Sequence, residues 1–226
     1  MIAPAIAVFA LFCIDTLLNW AGNLFNKQKL ADNSKPLLMP LLALTAVLLL
    51  LPTDCPRTVI MTMVVALAFH TAGDILLISD RQIHFLLGAA CFMVGHIFYL
   101  TLFAPAFANV GAVFFIVMAV VIVAFGTVLF LGLKKEGLAM ALGVPVYAAV
   151  LLTVAFAGAA GVTGGYTTVN ALCVLIGGIL FVTSDGLLAL SNFAVKFPGY
   201  KFWVMFTYVV AEVFLALGVV LPYLKK

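Results

Sequence analysis

Long apolar runs separated by short polar intervals dominate this chain. Eight runs stand out, over residues 2–18, 36–51, 58–78, 84–102, 110–133, 138–157, 168–190 and 202–221. Each reaches or approaches the roughly 20 residues a helix needs to cross a hydrocarbon core. Inside such a core the backbone must satisfy its own hydrogen bonds, and a helix does so within one segment. The pattern therefore predicts an all-α polytopic membrane protein with eight transmembrane helices, forming one integral membrane domain over residues 1–226. No basic segment precedes the first run, and Asp15 interrupts it, so it reads as a retained span and not a cleaved signal.

Composition agrees with this solvent. Only 8% of residues are charged and 66% are hydrophobic, with a mean hydropathy of +1.32. A soluble domain carries roughly 25% charged residues. No basic patch with interleaved aromatics points to nucleic acid. Cys13, Cys91 and Cys173 fall within spans, Cys55 falls in a loop, and no C-x-x-C pair occurs. That argues against a disulfide framework and a thiolate zinc site.

The loop charges predict an orientation. Lys27, Lys29, Lys35, Arg81, Lys134, Lys135, Lys196 and Lys201 all lie in the loops from odd to even spans. The other side holds Arg57, Lys225 and Lys226. Lys and Arg concentrate on the cytoplasmic side, so the odd-to-even loops face the cytoplasm and both termini face away. Residues 19–35 form the longest connection, read either as a solvated loop or as a segment along the headgroup interface. Residues 103–109 and 158–167 read as short uncharged turns on the far side.

Two carboxylates break the apolar pattern, in Gly73-Asp74-Ile75-Leu76-Leu77 and Ser184-Asp185-Gly186-Leu187-Leu188. An ionisable group within a span is costly and marks function by default. Asp74 and Asp185 are 111 residues apart in similar settings, and their spans run in the same direction. That allows two parallel four-helix halves. The rise per residue puts Asp74 roughly 8 Å and Asp185 roughly 9 Å from the inner ends of their spans. If spans three and seven are neighbours, the two carboxyls face one cavity.

Further polar groups fall near that layer. His96 and Tyr99 share a face of span four, and Tyr208 and Glu212 share a face of span eight. Tyr147 follows Pro145 on span six, Ser184 precedes Asp185, and Lys35-Pro36 opens span two. His70 lies one turn before Asp74 and is placed to hydrogen-bond it. Any of the tyrosines and histidines also suits a plain interhelical hydrogen-bonding role.

Taken in order, Lys35-Pro36, Gly73-Asp74, Gly95-His96 with Tyr99, Pro145 with Tyr147, the Gly178–Asp185 stretch and Thr207-Tyr208 resemble the lysoplasmalogenase family of integral membrane proteins, the YhhN type. Glu212 departs from the resemblance, which tends toward a neutral amide there. The resemblance implies hydrolysis of the vinyl ether bond of a lysophospholipid drawn from the bilayer, without a cofactor or metal. It implies Asp74 and Asp185 as the catalytic pair. Lys35, His96, Tyr99, Tyr147, Ser184, Tyr208 and Glu212 would bind substrate or support the pair. A bacterial inner membrane is the expected location, with the site toward the cytoplasmic leaflet.

The chemistry fits two carboxyls. Cleaving a vinyl ether begins with protonation of its β-carbon, which gives an oxocarbenium ion. A carboxyl in low-dielectric surroundings beside a second carboxylate holds its proton to higher pH. The ionised partner stabilises the cation, as in glycoside hydrolysis. Two other classes compete: a metal-dependent membrane hydrolase using His70, Asp74 and His96, and a proton-coupled transporter built on the same carboxylates. A non-enzymatic lipid-binding scaffold is the blander alternative.

Overall fold

Eight helices follow one another in the computed structural model, which describes residues 2–79, 81–164, 166–195 and 197–224. They are α1 (Ile2–Leu24), α2 (Gln28–Leu50), α3 (Arg57–Leu76), α4 (Gln82–Phe103), α5 (Ala112–Leu133), α6 (Leu138–Thr163), α7 (Thr168–Phe193) and α8 (Tyr200–Leu224). A 3₁₀ segment, Ala104–Asn109, joins α4 to α5. No strand occurs among the described residues. All eight helices are long and apolar enough to span a bilayer, so the chain is an integral membrane protein. Lys196, Lys225 and Lys226, counted above among the loop charges, lie outside the described residues.

The helices match the apolar runs and extend past them. The largest correction concerns residues 19–35, which form no long loop. α1 continues to Leu24 and α2 starts at Gln28. The reversal is a tight helix cap: Asn26 takes φ 54° and the Lys27 N–H donates to the Gly22 carbonyl over 2.7 Å. Asn is one of the few residues that adopt this left-handed position readily. The polar residues read as loop are helical positions that tie the two helices together. The Asn19 amide donates to the Ala31 carbonyl at 3.0 Å and to Ser34 Oγ at 3.1 Å. A Cβ on Gly22 would come within 2.7 Å of the Ala31 nitrogen, so glycine is what lets the backbones close. Pro36 and Pro40 therefore sit inside α2, not at its start. Likewise α6 runs on to Thr163, through part of the interval read as a turn.

The packing order explains how distant residues meet. α2 packs on α3, α3 on α4, α4 on α6, α6 on α7, α7 on α8, and α8 back on α2. These six helices close a ring. α1 lies outside it against α2 and α8, and α5 lies outside it against α6. The pairs 1–2, 2–3, 3–4 and 4–6 recur as 5–6, 6–7, 7–8 and 8–2, the pairing expected of two parallel halves. Along α5 only Leu133 is buried, as suits an all-round apolar helix facing lipid.

α3 and α7 stand on opposite sides of this ring and are not a packed backbone pair. They meet through long side chains, the His70 ring lying 5.7 Å from that of Phe181. The expected equal distances from the helix ends do not hold either. α3 stops two residues after Asp74 and α7 eight residues after Asp185. Those are about 3 Å and about 12 Å of helix. The two helices end at different levels, yet both carboxyls reach the same interior space.

Candidate active site

That space is a cavity of about 660 Å³ inside one end of the ring. Its walls come from the last turns of α1, α3 and α7 and the first turns of α2, α4, α6 and α8. It thus opens at the end bearing the odd-to-even connections. Pockets for small ligands are typically about 300–1,000 Å³.

Asp74 and Asp185 both line the cavity. Asp74 is buried and has two partners. The Tyr208 hydroxyl donates to Oδ2 at 2.7 Å, and Lys35 Nζ stands 3.6 Å from Oδ1. The Lys35 side chain is only 14% exposed, so its charge is drawn inward toward the carboxylate. Its place on the third turn of α2 depends on the helix starting at Gln28. Asp185 is half-buried and lies within electrostatic reach of Lys35 and Asp74, and Tyr147 of α6 lines a small slot together with it. No cation stands in ion-pair contact with it among the described residues, in contrast to Asp74.

Phe92 and Tyr208 form the floor and pack on Phe181 behind it, with ring centroids 5.5–5.9 Å apart. Below it lies a second, closed polar group. Glu212 is fully buried; its Oε1 is 2.5 Å from His70 Nδ1, and its Oε2 accepts from the Tyr99 hydroxyl at 3.3 Å. The His96 ring lies tilted beside that of His70, centroids 4.6 Å apart, and its Nδ1 lies 2.8 Å from the Phe92 carbonyl. The neighbouring Gly95 makes room for this: a Cβ there would collide with the His70 ring.

The residues singled out in the sequence therefore divide by depth. Lys35, Asp74, Ser184, Asp185 and Tyr208 line the cavity. Ser184 also donates to the Val204 carbonyl at 3.0 Å, which ties α7 to α8. Tyr147 lies to the side, in a small apolar slot that shares Asp185 with the cavity. His96, Tyr99 and Glu212 sit behind the floor, out of the cavity. His70 turns to Glu212 and not to Asp74, the partner its sequence spacing suggests. His70, Asp74 and His96 consequently do not converge, and no group of three His, Cys, Asp or Glu is placed to hold a metal among the described residues.

Several mouth residues escape the sequence reading: Asn19, Asn23, Gln28, Asp32, Glu136 and Lys201. Gln28 joins two of them, donating to Asp32 Oδ1 at 2.6 Å and accepting from Lys201 Nζ at 2.7 Å. The signal that could have found them is spacing. Asn19 with Asn23, and Gln28 with Asp32, are four apart, one turn of a helix.

Fold and site together define a polytopic helical membrane protein with two carboxylates at the base of a cavity open at one end. The chain belongs to the YhhN family, whose model matches residues 30–219. The match includes Lys35, both aspartates, Tyr147, Tyr208 and Glu212, and begins within α2, so the peripheral α1 lies outside it. Comparison with curated proteins and with solved structures returned no match.

Proposed function

We propose that the protein is a membrane-embedded hydrolase that cleaves the vinyl ether bond of lysoplasmalogens. The products are a fatty aldehyde and a glycerophospho-alcohol. The observation that carries this reading is the meeting of Asp74 and Asp185, from opposite sides of the ring, at one polar cavity. Membership of the YhhN family is consistent with it.

The reaction needs a proton donor and a stabiliser of positive charge, with no redox step. One carboxyl gives its proton to the β-carbon, and the C=C electron pair forms the new C–H bond. The oxocarbenium ion at the α-carbon is held by the ionised carboxylate. Water adds to that carbon and loses a proton to the pair. The hemiacetal then breaks its C–O bond, releasing aldehyde and the glycerol hydroxyl. Lys35 and Tyr208 suit Asp74 to the role of charged stabiliser, because hydrogen bonding and an opposite charge both favour a carboxylate.

The rings of Phe92 and Tyr208 close the cavity at its inner end. The basic residues beside its mouth favour an opening to the cytoplasmic leaflet. The substrate then enters from that leaflet, headgroup in the cavity.

Purified protein incubated with a lysoplasmalogen is expected to release fatty aldehyde, and with the matching ester lysolipid no fatty acid. Fatty acid from the ester without aldehyde from the vinyl ether would replace this reading with that of an esterase.

A further inference from the structure

The mouth of the cavity carries charges that the reaction does not use. Its α1–α2 wall consists of Asn19, Asn23, Gln28, Ala31, Asp32 and Lys35. Gln28 stands between two opposite charges. Its amide nitrogen donates to Asp32 Oδ1 at 2.6 Å, and its oxygen accepts from Lys201 Nζ at 2.7 Å. The two charges are thus bridged by a neutral group and not paired. No cation stands in ion-pair contact with Asp32 among the described residues, so its Oδ2 keeps its capacity to accept. Asn23 adds a second acceptor. Its amide nitrogen is spent on the Asn19 carbonyl at 2.9 Å and on Asn19 Oδ1 at 3.1 Å, which leaves its oxygen free. Asn23 follows Gly22 and Asp32 follows Ala31, and the close contact of Gly22 with Ala31 puts the two acceptors at one level of the wall.

We propose that this wall is a headgroup site for a phosphoethanolamine lysolipid, with Asp32 and Asn23 taking its primary ammonium and Lys35 its phosphate. The proposal rests on the hydrolase reading above and names the headgroup of its substrate. The order of charges supports it. Gln28, Asp32 and Lys35 follow at intervals of four and three residues, on one face of α2. Those intervals are about 6 Å and about 5 Å of rise, running inward from the mouth. Lys35 stands at the level of Asp74, its Nζ 3.6 Å from the carboxylate. Outward from the reacting carbons, the lipid presents first a phosphate and then an amine. Outward along α2, the wall presents first a cation and then an anion. Lys35 Nζ carries three N–H groups, enough to hold a phosphate oxygen while it faces Asp74.

The choice of a primary amine over a trimethylammonium follows from the hydrogen bonds each can make. A primary ammonium has three N–H groups and fits a carboxylate beside an amide oxygen. A trimethylammonium has none and is held by aromatic faces. No aromatic residue lies on the α1–α2 wall; Phe85, Phe193 and Tyr200 line the cavity from α4, α7 and α8. Asn19, Asn23 and Gln28 also precede the residues matched by the family model, so half of this wall belongs to the N-terminal hairpin of this chain.

Saturated 1-O-alkyl lysolipids lack the double bond and bind without being cleaved. Full-length protein in detergent is offered the ethanolamine and choline forms together, and the bound species are measured by native mass spectrometry. The ethanolamine form is expected to be favoured about tenfold, the scale of one hydrogen bond to a charged group. Asp32→Asn should erase the preference, and Asp32→Glu should retain most of it. The same lipid ending in a bare phosphate should bind more weakly than the ethanolamine form. Equal or tighter binding of the choline or bare-phosphate form by wild type, or an unchanged preference in folded Asp32→Asn, overturns the site. Free phosphoethanolamine at equal concentration should leave the lipid bound; displacement would make the ligand a soluble one and overturn the lipid assignment. A preference that Asp32 controls, with no aldehyde from a lysoplasmalogen, leaves the headgroup site standing and removes the hydrolase reading. Aldehyde release without headgroup discrimination does the reverse.

Discussion

Asp185→Asn and Asp74→Asn are each expected to abolish aldehyde release from lysoplasmalogen in protein that remains folded. Asn has nearly the shape of Asp, so the helices should pack as before. It carries no acidic proton and no negative charge. At position 185 the loss removes the donor to the β-carbon; at position 74 it removes the anion facing the cation. In Asp74→Asn the amide oxygen would still accept from Tyr208, so the contact that measures 2.7 Å with the carboxylate need not break. The ion pair with Lys35, at 3.6 Å, is lost with the charge. General acid–base groups contribute about 10²–10⁴-fold, and both variants should fall by at least that. Turnover near wild type in either one, with unaltered gel-filtration behaviour, removes that aspartate from the reaction.

The second large effect is on stability. Glu212→Ala is expected to destabilise the bundle by about 3–5 kcal/mol, the usual consequence of breaking a buried pair by removing one partner. Glu212 is fully buried with His70 and Tyr99 as its partners, and both would be left in a closed polar group behind the cavity floor. Soluble chains of this length lose roughly 2–4 °C of melting temperature per kcal/mol, so a drop of about 6–20 °C in detergent follows. Glu212→Gln keeps an acceptor for Tyr99 and a similar volume, and should recover most of the loss. Equal melting temperatures for Glu212→Ala and wild type would mean that the His70–Glu212 contact does not hold α3 to α8. Because Glu212 lies out of the cavity, its effect on turnover should track the folded fraction.

The eight helices were legible in the chain because a bilayer imposes length and apolarity together, and nothing short of a long apolar run meets both. The aspartates were legible for the complementary reason: in so uncharged a chain a carboxylate is conspicuous. The α1–α2 hairpin was not legible. Asn19, Asn23, Gln28, Asp32 and Lys35 are polar because they face a wet cavity, and polarity between two apolar runs reads as a loop. The one-turn spacing of Asn19 with Asn23 and of Gln28 with Asp32 held the helical signal, against a span read as opening only at Lys35-Pro36.

The meeting of α3 and α7 was also beyond the sequence. Equal distance from two span ends left open whether spans three and seven are neighbours; the ring sets them opposite each other and joins their carboxyls across its interior. The partner of His70 was hidden for a related reason. Asp74 is one turn away on the same helix, but Glu212 arrives from α8, and only the closed ring brings it there. The division of the site into cavity, slot and buried polar group is likewise set by tertiary packing, since His96 and Tyr99 share a helix face with each other but not with the cavity.

The central claim is that this chain protonates the β-carbon of a vinyl ether at the Asp74–Asp185 cavity. The most direct test is brief turnover of a lysoplasmalogen by purified protein in D₂O, with the aldehyde trapped at once and analysed by mass spectrometry. The account predicts one deuterium on the carbon next to the carbonyl, formed by wild type and not by Asp185→Asn. Aldehyde without that deuterium, or equal formation by the variant, would contradict it.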